Sequence, residues 1–190
     1  GVLVRGLSPH VDLWLAETLS SLEEAEAAAL ATRQSGKPLW LSFTLRDDVA
    51  PDEMGEPQLR SKQSVADAAR LAESLGAAVL LFNCAKPEVM TPALSAARAN
   101  APHLKLGVYA NAFASQDEDG AANEVVSEVR NDLDPKSYAQ WAAAWTKSGA
   151  TIIGGCCGIG TEHIHELADR FSCESINAAS KRLELPIEER

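Results

Sequence analysis

The residues best equipped for chemistry are cysteines. Cys156 and Cys157 lie side by side in the run Gly154-Gly155-Cys156-Cys157-Gly158, and Cys84 follows Asn83 at the end of an earlier apolar run. Adjacent cysteines bridge to each other only with strain, yet both can point a thiolate at one metal ion. Soft thiolates favour zinc among the common metals. Three protein ligands with one position left open is the catalytic pattern, whereas four is the structural one. Plainer readings stand beside this one: Cys84 as a small buried hydrophobe, and the Cys-Cys pair as core packing or a redox couple. The flanking glycines weigh towards a metal, because they let the backbone turn sharply enough for consecutive side chains to reach one ion. The expectation is therefore Zn2+ on Cys84, Cys156 and Cys157.

The other candidates are weaker. Glu17 closes an apolar run and is either a site carboxylate or an acid near a helix start. Ser42 and Thr44 end the next run, and Asn111 a later one. His163 and His165 are two apart on a helix and point to different faces, which makes them surface or packing residues. His10 and His103 sit in loops, and Cys173 reads as inert. Tyr138, Trp141 and Trp145 recur at helical spacing and read as core, while Asp117-Glu118-Asp119 is a solvated loop. No Gly-rich phosphate loop occurs in strand–loop–helix context, and no nucleophile elbow is present.

The elements that must position these residues are strands alternating with helices. The first residues form a strand-like run after Gly1, and the chain reads as a piece of something longer. Val11–Ala16 predicts a strand buried on both faces apart from Asp12, ending at Glu17-Thr18. A helix follows, with Ser21 and Glu24 as a capping box and Gly36 as its stop. Further strands are expected over Leu39–Thr44, Ala77–Phe82, Leu104–Ala110 and Ala150–Ile153. The helices between them open at Ser64, at Pro87 and Thr91-Pro92, and at Asp134-Pro135. Thr161 caps a final helix whose Ile164, Leu167 and Phe171 face inward. The polar stretch 111–134 is long for a connection and reads as a lid or binding loop. Five βα units in a row predict a parallel sheet with covering helices. Active sites on such sheets lie at the carboxyl ends of the strands, where Glu17, Ser42, Cys84 and the Cys156-Cys157 pair fall.

A length of 190 residues suits one domain, and 46% hydrophobic with 23% charged content is ordinary for a globular protein. A net charge of −10 disfavours nucleic acid and anionic membrane as partners. No apolar run is long enough to span a bilayer. With no secretory signal, the cysteines predict a reducing, cytoplasmic setting.

Asn83-Cys84, then Gly154-Gly155-Cys156-Cys157 and Glu162-His163-Ile164, resemble the zinc-dependent homocysteine S-methyltransferases. So do Glu17-Thr18 before Glu23-Glu24-Ala25, and Ser42-Phe43-Thr44 with Leu59-Arg60-Ser61. The resemblance runs in order from Val11 to Phe171. It implies a (β/α)8 TIM-type barrel of which this chain covers about five βα units, strands four to eight, without the first three. Residues 1–172 would be that partial barrel domain and 173–190 a tail. It further implies zinc on Cys84, Cys156 and Cys157, homocysteine bound through sulfur as fourth ligand, and Glu17 on the substrate's amino group, with Ser42 also at the substrate. The activity implied is methyl transfer to homocysteine, giving methionine, from S-methylmethionine or S-adenosylmethionine. The alternatives are a related thiol or selenol methyltransferase using betaine or another donor, and an incomplete zinc-binding barrel fragment. Two departures from the family pattern stand out: Thr161 where proline is common, and Lys62 where glycine is common. A barrel cut before its first strand here would also leave that strand's edge free for self-association.

Overall fold

The structure, a computed structural model, describes residues 1–48, 53, 55–114 and 128–172. Five strands form one sheet in the order β1-β2-β3-β4-β5, and every neighbouring pair is parallel. They are β1 (Trp14–Leu19), β2 (Leu39–Thr44), β3 (Val79–Asn83), β4 (Lys105–Tyr109) and β5 (Ala150–Ile153). The helices are α1 (Val2–Leu7), α2 (Leu22–Thr32), α3 (Val65–Ser74), α4 (Pro87–Asn100), α5 (Pro135–Lys147) and α6 (Thr161–Phe171).

Sequential order decides the architecture. Crossovers between parallel neighbours are right-handed, so five strands stepping in one direction place every connecting helix on the same side. A doubly wound sheet would reverse direction midway and carry helices on both sides. The continuous core is built accordingly. Leu41, Phe43, Leu80, Phe82, Leu106 and Val108 pack with Ala69, Met90, Leu94, Tyr138 and Trp145 of the helices. The alternate residues Ser42, Leu81, Asn83 and Gly107 point to the other, inner face. Each fully buried Leu or Phe on the helix side contributes about 1.5–3 kcal/mol. The chain is thus an α/β arc of the TIM-barrel type.

Most helix ends follow from local chemistry. Ser21 and Glu24 form the expected capping box, and Gly36 ends the segment in the left-handed region. Ser64 Oγ accepts from Asp67 N at 3.0 Å and an Asp134 carboxylate oxygen from Ser137 N at 2.8 Å.

Four local expectations are corrected. The strand-like start is the helix α1, with Val2 and Leu3 exposed, because among the described residues no strand pairs with it and the backbone bonds to itself, Arg5 N to Gly1 O at 3.1 Å. β1 begins at Trp14 and is not buried on both faces: Leu15 is 41% exposed, since β1 has one neighbour among the described residues. Pro92 lies inside α4 rather than opening a new helix. Thr161 is the first residue of α6 and not its cap. Gly160 holds that place, and Ile164 faces outward. Cys173, the tail and Asp117-Glu118-Asp119 lie outside the described residues.

Candidate metal centre

The two cysteine-bearing segments are stitched to one template, the end of β4 and its continuation to Ala112. Cys84 N donates to Tyr109 O at 3.2 Å and Asn111 N to Ala85 O at 3.0 Å, which fixes the end of β3. On the other side Gly154 N reaches Val108 O and Cys156 N reaches Ala110 O, both at 2.9 Å, and Ala112 N reaches Cys157 O at 2.8 Å. Residues far apart in sequence are therefore held in register by backbone bonds. Cys84 itself adopts φ 52°, and Thr18 φ 58° where β1 loses register against β2. Non-glycine residues in this left-handed region cost about 1–3 kcal/mol and cluster at functional sites.

The result is a triangle of sulfurs. Cys84 Sγ and Cys156 Sγ each lie 3.8 Å from Cys157 Sγ, and all three fall within 4.8 Å of one another. All three are free thiols. Tetrahedral thiolates at about 2.3 Å from a zinc ion would sit about 3.8 Å apart, so the donor set and its spacing fit that ion. The electrostatics agree. Cys156 is pulled down to about 6, chiefly by the neighbouring Cys84 thiol, with the Cys157 backbone N–H and the Asn83 carboxamide adding to it. Cys84 is pushed up by the neighbouring Cys156 sulfur and by burial, and Cys157 by burial and the Cys156 charge. The cluster thus holds one thiolate readily and resists a second. A cation among the sulfurs removes that resistance.

Next to the sulfurs, on the inner face, is a polar corner. Ser42 Oγ donates to Asn83 Oδ1 at 2.7 Å, and Asn83 Nδ2 donates to Thr18 Oγ1 at 2.8 Å; both Ser42 and Asn83 are fully buried. One carboxamide therefore links β1, β2 and β3 just below the metal corner. Glu17 is exposed on β1, and Tyr109, the last residue of β4, lies on the same inner face as its register partner Asn83. Burial pushes the Tyr109 hydroxyl up, with the Glu17 charge reinforcing it. Sequence reasoning passed over Tyr109, although strand alternation sets it on the face of Ser42 and Asn83.

The surroundings hold this loop rigid. Tyr138, one of the three aromatics expected in the core, also spans the strand ends, its hydroxyl 2.8 Å from Gly154 O and 3.2 Å from Ala110 O. His163 Nδ1 accepts from Gly160 N at 3.2 Å, so Nε2 carries the proton and donates to Leu133 O at 2.9 Å. His165 is exposed and pairs with Asp169. The glycines act differently from the simple expectation. Only Gly158 uses a positive φ, 78°; Gly155 serves by its missing Cβ, whose place Ile159 fills.

Comparison with known proteins agrees with this picture. Residues 3–171 match the family model described as homocysteine S-methyltransferase. Homocysteine S-methyltransferase 3 of Arabidopsis thaliana is 30% identical over 174 residues, spanning 90% of this chain and 46% of the relative. Betaine–homocysteine S-methyltransferase 1 of Danio rerio is 27% identical, over 88% of this chain and 42% of its own length. Among solved structures, the homocysteine methyltransferase MmuM from Escherichia coli is similar with a TM-score of 0.64. Its apo form is 28% identical over 88% of this chain and 53% of that one. Its metallated form is 29% identical and is covered over 48% of its length. The chain spans about half the length of the relatives it matches. By its sequence motifs, its one-sided parallel sheet and its match over residues 3–171, the chain belongs to the homocysteine S-methyltransferase family.

Proposed function

We propose that the chain carries the metal half of an enzyme that transfers a methyl group to the sulfur of homocysteine, giving methionine. The observation that carries this is the triangle of Cys84, Cys156 and Cys157 sulfurs at the carboxyl edge of the sheet. Zn2+ is the metal whose geometry and softness suit it. Bound there, the ion would supply Lewis acidity, holding a substrate thiol as thiolate near neutral pH, where a free thiol titrating near 8.5 is mostly protonated.

The chain's own residues do the rest. The three cysteines would hold the ion through three of its four positions and leave the fourth for the substrate sulfur. Glu17 offers a carboxylate for the substrate's ammonium, and Ser42 a hydroxyl oxygen beside it. Asn83 holds Ser42 and Thr18 in place and supports the Cys156 thiolate. S-methylmethionine or S-adenosylmethionine is the proposed donor, and in-line approach of its methyl group makes positioning a large part of the rate. A cytoplasmic setting, where thiols stay reduced, suits three free cysteines this close. Residues 1–172 form the proposed domain, and the single-neighbour edge of β1 is the surface for self-association.

A second reading is favoured by one observation, the coverage of about half of each relative: a zinc-binding piece that is inactive alone. One experiment separates the two. Zinc content, methionine formation and size by sedimentation are measured on this chain and on one extended to the relatives' length. Methionine from both supports the first reading, and methionine from the longer chain alone supports the second. In either, Cys84→Ser should abolish stoichiometric zinc and cut transfer by on the order of 100-fold or more. Full zinc content in that variant sinks the three-sulfur site, and a strictly monomeric chain sinks the self-association.

A further inference from the structure

Arg130 connects the two segments that carry the sulfur triangle. Its backbone N donates to Ala112 O at 2.8 Å, and Ala112 N donates in turn to Cys157 O at 2.8 Å. A Cβ on Gly158 would stand 3.1 Å from Ala112 Cβ, so the turn after Cys157 lies directly against Ala112. The guanidinium of Arg130 reaches Glu88, 42 residues away in sequence, with Nη1 3.0 Å from Oε2 and Nη2 2.7 Å from Oε1. Glu88 lies in the first turn of α4, which opens at Pro87 just past Cys84.

Ion pairs on a protein surface usually add little, but this one differs in geometry and in place. The fork meets both carboxylate oxygens of Glu88, the strong and directional form of the pair, and the Arg130 side chain is only 19% exposed. Asp132 steadies the fork from a second side, its Oδ1 accepting from Nε at 3.0 Å and its Oδ2 from Nη2 at 2.7 Å. The place matters more. β4 ends at Tyr109, and the template that carries the cysteine segments continues past it to Ala112. Arg130 is fastened to the far end of that template by its backbone and to the start of α4 by its side chain. A shift of either would change the 3.8 Å separation of the Cys84 and Cys157 sulfurs.

We propose that Arg130 is a positioning residue of the metal centre: by clasping Glu88 with its guanidinium and Ala112 with its backbone, it fixes the spacing of the Cys84 and Cys157 sulfurs and so sets how tightly zinc is held. The inference rests on the three-sulfur reading above. It gives an arginine that touches neither metal nor substrate a role in metal retention, exerted through the segments on which the sulfurs ride.

The test reads zinc affinity by competition with a coloured chelator, and the shape of the site from the visible bands of Co2+ bound in zinc's place. Arg130→Lys keeps the charge but not the fork, and Glu88→Gln removes its partner. Each should weaken zinc by about 10-fold or more, the scale seen for outer-shell partners of metal ligands, and each should alter the Co2+ bands. The double variant should lie within about twofold of the weaker single one, because both changes break one link. Arg70→Gln, which breaks the exposed Arg70–Asp67 pair, is the control and should stay within about twofold of wild type. Unchanged zinc affinity or Co2+ bands in either single variant, a lower melting temperature alone, or equal weakening in the control overturns the clasp. One arm needs no variant to fold: in wild type, zinc should slow hydrogen exchange at the Arg130 amide by about 10-fold or more, because coupling between two sites is reciprocal. Exchange indifferent to zinc overturns the clasp as well. Wild type that takes up no zinc overturns the three-sulfur reading itself.

Discussion

The two faces of the sheet are made by the same five strands, residue by residue in alternation, yet they have different physical character. The helix side is a continuous apolar layer in which Phe43, Phe82 and Leu106 are fully buried. The inner side is graded. Val79 and Leu81 in its middle are buried without belonging to that layer, and towards the carboxyl edge it turns polar with Ser42, Asn83 and Tyr109 before reaching the sulfurs. The lesson is a division of labour: one face supplies the stability that allows the other to keep left-handed Thr18 and Cys84, a buried amide and an unpaired phenol.

Substitutions can break or sharpen that contrast. The largest effect belongs to the helix side: Phe82→Ala should cost about 3–5 kcal/mol in denaturant unfolding, and a loss under about 1 kcal/mol would mean that this layer is not the main source of stability. On the inner side the vulnerable point is a residue without a side chain. A Cβ on Gly107 would come within 2.5 Å of Leu81 Cδ2 and 2.8 Å of Ile152 Cβ, so Gly107→Ala should cost about 1–3 kcal/mol by overpacking. An unchanged midpoint would show that the inner face is looser than described. The smallest effect, and of opposite sign, lies outside both faces. Lys62 stands at φ 70°, where glycine carries no steric penalty, and Lys62→Gly should stabilise by about 0.5–1 kcal/mol. A drop in the melting temperature instead would assign the lysine side chain a packing role.

The sequence disclosed much of this because several signals agreed. The apolar runs of β2 and β5, the capping box at Ser21 and Asp134 before Pro135 each named their own local structure. The Asn-Cys and Gly-Gly-Cys-Cys motifs marked strand ends, where parallel sheets gather their chemistry. What escaped was decided by neighbours. β1 reads as a buried strand from its apolar content alone, and only the one-sided pairing reveals Leu15 as exposed. Tyr109 looks like one more apolar strand residue until its register with Asn83 sets it at the site. Gly155 reads as a flexible turn, whereas its use is the space that Ile159 fills.

The sulfur triangle also acts on the unfolded chain. Cys84 and Cys157 are 73 residues apart, so an ion gripping both closes a long loop that runs from the end of β3 and contains β4 and β5. Cross-linking a loop of that length removes about 4 kcal/mol worth of chain entropy from the denatured ensemble in a simple polymer picture. The strands that build the site would then melt as one cooperative block, and the metal would set that block's melting temperature as well as its chemistry.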